Sequence, residues 1–439
     1  MPIIKYYKSS DRNIWDNYVR NHPNGTLYHL SGWKNVIEET YGHKSYYLMA
    51  LANSNNPSNP TNHNNRIVGI LPLIHMKHFL FGNKLVSMPF FDMGGILADD
   101  EETEKALLTE AIQLGQKLKV KNIELRHTQP LTWLADSSKL KANSSNNSPI
   151  SYGLSAMNCA FQTRSHKVRM LLPLPDSSEE LWKSFKSKLR SQIRRPQKEG
   201  LKAQLGGPEL LNDFYYVFTI NMHALGSPVH ARQWFNALLA ANSSCSSRSE
   251  KFCSRARREE VKKRSVLSVH EHFSPTSNAT IGQKDYLWMD TSSLAKVGLV
   301  YLKTGEPVAA GIILILGNKV CIPWASSLRA YNRLAPNMLL YWTFLSWAAD
   351  NNCKVFDFGR STPGEGTYRF KAQWGARPEQ LYWYTFSPFA SARDISSEKS
   401  GKENERYSKF RQLAERGWNA LPLSIANRLG PCIRKYISL

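Results

Sequence analysis

The chain has 439 residues, and 57 Lys and Arg against 35 Asp and Glu leave a formal net charge of +22. With 42% hydrophobic and 11% aromatic residues it carries ample material for large cores, which excludes a wholly disordered chain. Its longest apolar run, Val308–Leu316, is far short of the ~18–20 residues that cross a bilayer, and the opening MPIIKYYKSSDR lacks the apolar stretch of a secretory leader, so neither a spanning nor a secreted protein is expected.

In chain order, strands are predicted at 46–52, 67–76 and 84–88, a helix at 101–118 and a strand at 122–127. The order recurs later, with strands at 297–302, 308–316 and 319–325, a helix at 337–349 and a strand at 354–358. The text echoes too: Val68-Gly69-Ile70-Leu71 matches Ala310-Gly311-Ile312-Ile313, and Ile123-Glu124-Leu125 matches Phe356-Asp357-Phe358. Two copies of one mixed α/β unit account for this. Three polar stretches interrupt the pattern, at 53–65, 137–149 and 242–285, and the last reads as a disordered insertion. The expected division is an N-terminal domain over 1–165, a C-terminal domain over 166–390, and a basic amphipathic tail over 391–439.

The second unit opens with a helix whose expected cap is Asp176, with Glu179 three residues on. Leu181, Phe185, Leu189 and Ile193 give it an apolar stripe, and Pro196 and Gly200 end it. From Lys183 to Lys202 there are eight basic residues and one acid, Glu199, and this mutual repulsion makes sense beside a bound polyanion. Arg190 and Arg194 are its candidate contacts. In the tail, Phe410, Leu413, Leu421, Ile425, Leu429 and Ile433 alternate with arginines and Lys435, the pattern either of a helix lying on an anionic membrane or of one packed on the second domain.

The six cysteines contain no CxxC and suit a reducing, cytoplasmic setting. Cys245 and Cys253 before His270 and His272 fit no common zinc spacing, so no metal is expected. The most informative stretch is FDFGRSTPGEGTYRFKAQWGA, residues 356–376. A buried strand runs into a glycine-bearing polar turn, and Asp357, Arg360, Glu365 and Lys371 crowd a short span, as charges do at functional sites.

That stretch, together with LWKSFKSKLRSQIRRPQKEGL, VYLKTGEPVAAGIIL, YHLSGWKNVIEETYGHKSYYLMA and MPFFDMGGILADD, resembles the FemAB-related acyltransferases of the GNAT superfamily. The ending LPLSIANRLGP is similar too, and the nearest group is the one associated with exosortase and exopolysaccharide systems. The resemblance implies two tandem GNAT-like domains and transfer of an acyl or aminoacyl group to an amine of a cell-envelope or exopolysaccharide precursor. The implied donor is acyl-CoA or aminoacyl-tRNA. The segment 326–337, where a GNAT chain usually has a glycine-rich pyrophosphate loop, contains no glycine, leaving Arg329 and Arg333 as candidate phosphate contacts.

Such a reaction needs a group to take a proton from the attacking amine. Asp357 is the first candidate and Glu365 the second, while Tyr368 is a candidate to donate a proton or orient. Arg360 and Lys371 are candidates for donor phosphate or a substrate carboxylate. Asp92, Trp33 and Tyr28 are candidates for the acceptor side, with Phe370 a further aromatic of the cleft. The competing reading of the charge is a non-catalytic nucleic-acid-binding protein, although no helix-turn-helix, zinc-finger or RRM signature is present.

Overall fold

The computed structural model describes residues 1–53, 66–134, 160–239, 295–389 and 412–438. Asn53 apart, the three polar stretches lie outside the described residues, as does Phe410.

The first sheet takes β1 (Ile3–Tyr6), β2 (Lys44–Leu51), β3 (Ile67–His78), β4 (Gly82–Val86), β5 (Leu97–Ala98), β6 (Asn122–His127) and β7 (Ala160–Arg164). Its helices are α1 (Arg12–Asn21), α2 (Gly32–Tyr41) and α3 (Glu101–Lys117). The second half supplies β8 (Val168–Pro173), α4 (Ser178–Ser184), α5 (Ser187–Lys198), β9 (Lys202–Gly206), α6 (Leu211–Ala224), β10 (Ala295–Tyr301), β11 (Pro307–Leu316) and β12 (Lys319–Ser327). It continues with α7 (Pro336–Asp350), β13 (Val355–Ser361), α8 (Gly366–Ala372), β14 (Arg377–Gln380), β15 (Tyr382–Ser387) and, in the tail, α9 (Leu423–Arg434).

The expected repeat is present. In each half two antiparallel pairings are followed by a parallel one: β2–β3–β4–β6 in the first sheet and β10–β11–β12–β13 in the second. The crossover helix, α3 or α7, makes each parallel step possible. The echoed glycines do the same work in both halves. A Cβ on Gly69 would lie 2.5 Å from Thr103 and 3.0 Å from Leu107 of α3, and one on Gly311 would lie 2.9 Å from Phe344 of α7. Only glycine lets the crossover helix sit that close to its sheet.

The second half also lends a strand to the first sheet. After β7 the chain crosses to the second sheet, where β8 lies between β13 and β14; after β14 it crosses back, and β15 lies between β6 and β7. The second half therefore completes the first sheet with β15, while β7 and β8 stay in the sheets of their own halves. An apolar cluster containing Tyr28, Trp33, Phe91, Trp234, Leu299, Ile312 and Trp324 spans both halves, while two further clusters fill the outer face of each sheet. At this size the shared cluster removes the greater freedom of hinged domains.

Two local expectations are corrected. The cap is Ser177, whose hydroxyl accepts the Glu180 N–H at 3.2 Å, while Asp176 instead pairs with Lys354. The single expected helix is two, α4 and α5, broken at Phe185, and the predicted stripe survives the break because Leu181, Phe185, Leu189 and Ile193 are all buried. Pro196 sits inside α5, two residues before its end.

The tail is docked. Helix α9 buries Ala426 and Gly430, and a Cβ on Gly430 would lie 2.9 Å from Val229. The buried Arg434 guanidinium donates to His230 Nε2 at 3.2 Å and lies 5.8 Å from the Phe90 ring centre. The chain then follows β4, with Phe90 N–H donating to Ser438 O at 2.7 Å.

Candidate active site

Strand β13 alternates Phe356 and Phe358 into the outer core of the second half, which turns Asp357 toward the first half. Strands β12 and β13 pair in parallel at Lys319–Val355, Val320–Phe356 and Cys321–Asp357, and there the pairing stops. On its other side β13 bulges between Asp357 and Arg360 before rejoining β8. Gly359, at φ 74°, makes that bulge, and its N–H donates to Asp357 Oδ1 at 2.7 Å. The Lys371 ammonium fixes the far side by donating to Gly359 O at 3.1 Å and Arg360 O at 2.7 Å.

A cavity of about 250 Å³ opens at this point between the halves. Thr26, Leu27, Tyr28 and Met93 line it from the first half, and Arg169, Lys319, Cys321, Asp357 and Glu379 from the second. The Tyr28 hydroxyl and Cys321 Sγ are 3.3 Å apart. Arg169 bridges Glu379 at 2.6 Å. Asp92 approaches from the first half: its carboxylate is 3.4 Å from Arg360 Nε and accepts the Arg360 N–H at 3.3 Å. Trp383 of β15 donates to Asp92 O at 3.1 Å, and its ring lies 5.1 Å from the Arg360 guanidinium.

Burial pushes the Asp357 carboxyl up to about 6, with the Arg169 charge and the Gly359 N–H pulling the other way. Burial draws the Lys371 ammonium down to about 8, against the pull of Asp92 and Asp357. Burial also holds the Tyr28 hydroxyl and the Cys321 thiol far above their ordinary values, so both keep their protons at neutral pH. The cavity thus presents a carboxylate that gains and loses a proton near neutrality beside an O–H and an S–H that do not. This is the arrangement a general base requires.

Of the residues singled out in the sequence, Asp357, Tyr28, Asp92, Arg360 and Lys371 come together here. Trp33 does not: it is core, its ring 4.6 Å from Phe91 and 5.9 Å from Trp234. Glu365 is exposed and precedes α8, while Tyr368 and Phe370 pack against the outer core of the second half. Arg190 and Arg194 lie on α5, with Arg194 5.1 Å from the Trp182 ring. Arg329 and Arg333 are exposed on a 3-10 turn, Arg329–Leu334, just before α7, where Ala335 takes the left-handed conformation at φ 55°. Sequence reasoning missed Arg169, Cys321 and Glu379. A charged residue inside the apolar VRMLLP strand was the available signal for Arg169. Cys321 and Glu379 became visible only through strand register, Cys321 against Asp357 and Glu379 against Arg169. Among the described residues no cluster of metal-ligating side chains is present.

Residues 285–372, which contain Asp357 and Lys371, match the family model described as an acetyltransferase (GNAT) domain. Lipid II:glycine glycyltransferases from two strains of Staphylococcus epidermidis are each 22% identical to the chain over 395 residues, covering 82% of it and 87% of theirs. The crystal structure of FemX superposes with a TM-score of 0.52 at 15% identity, covering 90% of this chain and 98% of that one. The two-sheet architecture is thus a tandem GNAT-like fold, and the chain is similar to the FemAB-related acyltransferases of the GNAT superfamily.

Proposed function

We propose that the chain moves an acyl or aminoacyl group from a CoA or tRNA carrier to an amine of a cell-envelope or exopolysaccharide precursor, in the cavity between its halves. The observation that carries this reading is the buried Asp357 carboxyl, raised to about 6 and facing that cavity. The name of the staphylococcal relatives supports a lipid-linked, amine-bearing acceptor and an aminoacyl donor. The +22 charge and the arginines of α5 and of the turn before α7 suit a polyanionic carrier.

In this reading the acceptor ammonium enters against Asp92 and Asp357. Asp357 takes a proton, and the freed amine attacks the donor carbonyl. The new C–N bond forms as the ester C–O or thioester C–S bond breaks, and the second proton shed by the nitrogen passes to the leaving oxygen or sulfur, so that the carrier leaves as an alcohol or a thiol. Tyr28, still protonated, donates toward the developing oxyanion. Closure by both halves brings donor and acceptor together and excludes water, which supplies much of the rate. Lys371 positions Arg360 by holding the carbonyls of the bulge, and Arg360 in turn orients Asp92. We place the reaction in the cytoplasm, at the membrane where a lipid-linked acceptor is found.

The test is transfer of labelled glycine from glycyl-tRNA, or of acetate from acetyl-CoA, to lipid II and to an amino-sugar acceptor. Activity with either donor, lost in Asp357→Asn, supports the assignment. Full activity in Asp357→Asn removes it. The nucleic-acid-binding alternative leaves a buried, proton-exchanging carboxyl without a purpose. Sequence-blind RNA binding that vanishes at moderate salt, with no transfer from any donor, would restore it.

A further inference from the structure

The turn joining β3 to β4 carries the most exposed apolar cluster near the tail. Phe79 is 88% exposed, Leu80 72% and Phe81 41%. Burying none of three adjacent large apolar side chains is unusual for a hairpin tip. The cluster does not stand alone. Tyr436 stacks on Phe81 with ring centres 5.7 Å apart and planes at 11°, and its ring centre is 4.1 Å from that of His78.

Tyr436 also ends a stripe on α9 and the turn that follows it. Ile425, Leu429, Cys432 and Tyr436 recur at intervals of four, three and four residues, one line along the helix surface. Ile425 and Leu429 are 45% and 44% exposed, while Ala426, Gly430 and Arg434 on the opposite side are the ones packed inward. The apolar line therefore runs from α9 through Tyr436 to the hairpin tip. The two chain segments that form it carry one sign of charge. No Asp or Glu occurs from 67 to 91 or from 416 to 438, where Lys77, Lys84, Arg416, Arg428, Arg434 and Lys435 are found. An aromatic tip and an amphipathic helix whose own exposed charged residues, Lys77, Arg416 and Arg428, are all cations complement the interface of an anionic bilayer rather than a groove on another protein.

We infer that this face, the 79–81 tip together with the Ile425–Leu429–Tyr436 stripe, inserts into the headgroup region of an anionic membrane. The proposal deepens the functional reading and rests on it for its purpose, since it would hold the enzyme where a lipid-linked acceptor lies. The same tail segment reaches the site: Ser438 is bonded to Phe90, two residues before Asp92.

The test is co-sedimentation of the full chain with vesicles of phosphatidylcholine alone and of phosphatidylcholine mixed equally with phosphatidylglycerol. The expected result is binding to the mixed vesicles that weakens at least tenfold in Phe79→Ser/Leu80→Ser and again in Ile425→Ser/Leu429→Ser. Lys77→Gln/Arg428→Gln should lose roughly 25-fold on anionic vesicles only, at about fivefold per cation. Each side chain is exposed, so unaltered circular dichroism should accompany the loss. Transfer to a water-soluble amine should be unchanged in Phe79→Ser/Leu80→Ser, which separates this proposal from the assignment of the site. No binding to mixed vesicles, equal binding by all variants, or a concentration-dependent dimer that Phe79→Ser/Leu80→Ser dissolves would overturn it.

Discussion

Glu124 and Asp357 occupy the same place in the two halves, each at the last bonded pair of the parallel strands, Val86–Glu124 and Cys321–Asp357. Their surroundings differ. Burial alone would raise the Glu124 carboxyl, but Arg126, 2.5 Å away, together with Lys84 and Arg164 holds it below its ordinary value. Arg126 then fills the space beyond the pair: it is 1% exposed, donates to the Phe91 carbonyl and lies 4.6 Å from the Trp383 ring. Among the described residues no cation is bonded to Asp357: Gly359, whose N–H it accepts, stands at the strand position that Arg126 holds in the first half, Arg169 acts on it only at longer range, and the cavity opens in front of it. One duplicated position has become a structural ion pair and the other a group that exchanges a proton. The difference teaches that a carboxylate's role is set by whether a cation closes the space in front of it.

The largest test of this contrast is catalytic. Asp357→Asn should lower kcat/KM for acyl transfer about 10²–10⁴-fold, the usual contribution of a general base, whereas Glu124→Gln should leave activity per folded molecule within a few-fold of wild type. A comparable catalytic loss in both would break the comparison.

Stability should move the opposite way. Glu124→Gln strands a buried guanidinium and should cost about 3 kcal/mol in chemical denaturation. Asp357→Asn should gain roughly 2–3 kcal/mol at pH 7. The sign follows from the raised folded-state value. Asp357 binds its proton more tightly folded than unfolded, so its contribution is complete below its ordinary range and is lost as pH rises through about 6. The stability of wild type should therefore fall relative to Asp357→Asn between about pH 4 and 6 and run parallel to it above.

Activity should show the same carboxyl from the other side. The kcat/KM of wild type should rise across about pH 6 as Asp357 loses its proton, and that limb should be missing from whatever activity Asp357→Asn retains. Tyr28→Phe should lower kcat about 10²-fold with KM unchanged, and its effect on stability is the smallest expected, a shift of less than about 1 kcal/mol.

Much of the fold was legible because duplication writes itself twice. Hydrophobic alternation placed β6 at Asn122–His127 without error, and Gly69 and Gly311 mark the close approach of a helix in both halves. The placing of β15 in the first sheet was not legible, because pairing between halves leaves no local pattern in a short strand. The break at Phe185 was hidden because the apolar stripe continues across it. In the site, the charged residues after Phe356 announced themselves by density. Cys321 and Arg169 did not, since each sits in an apolar strand and is brought to the cavity by register. Trp33 and Tyr28 read alike in sequence, and only the packing separates the core ring from the one at the cavity.

Carbon-13 NMR titration of the carboxyl groups, with Asp357→Asn for assignment, addresses the contrast without needing a substrate. The account predicts one aspartate with a midpoint near pH 6 that vanishes in Asp357→Asn, and a Glu124 resonance that titrates below the ordinary glutamate range. An Asp357 resonance that titrates near pH 4, together with Glu124, would contradict it.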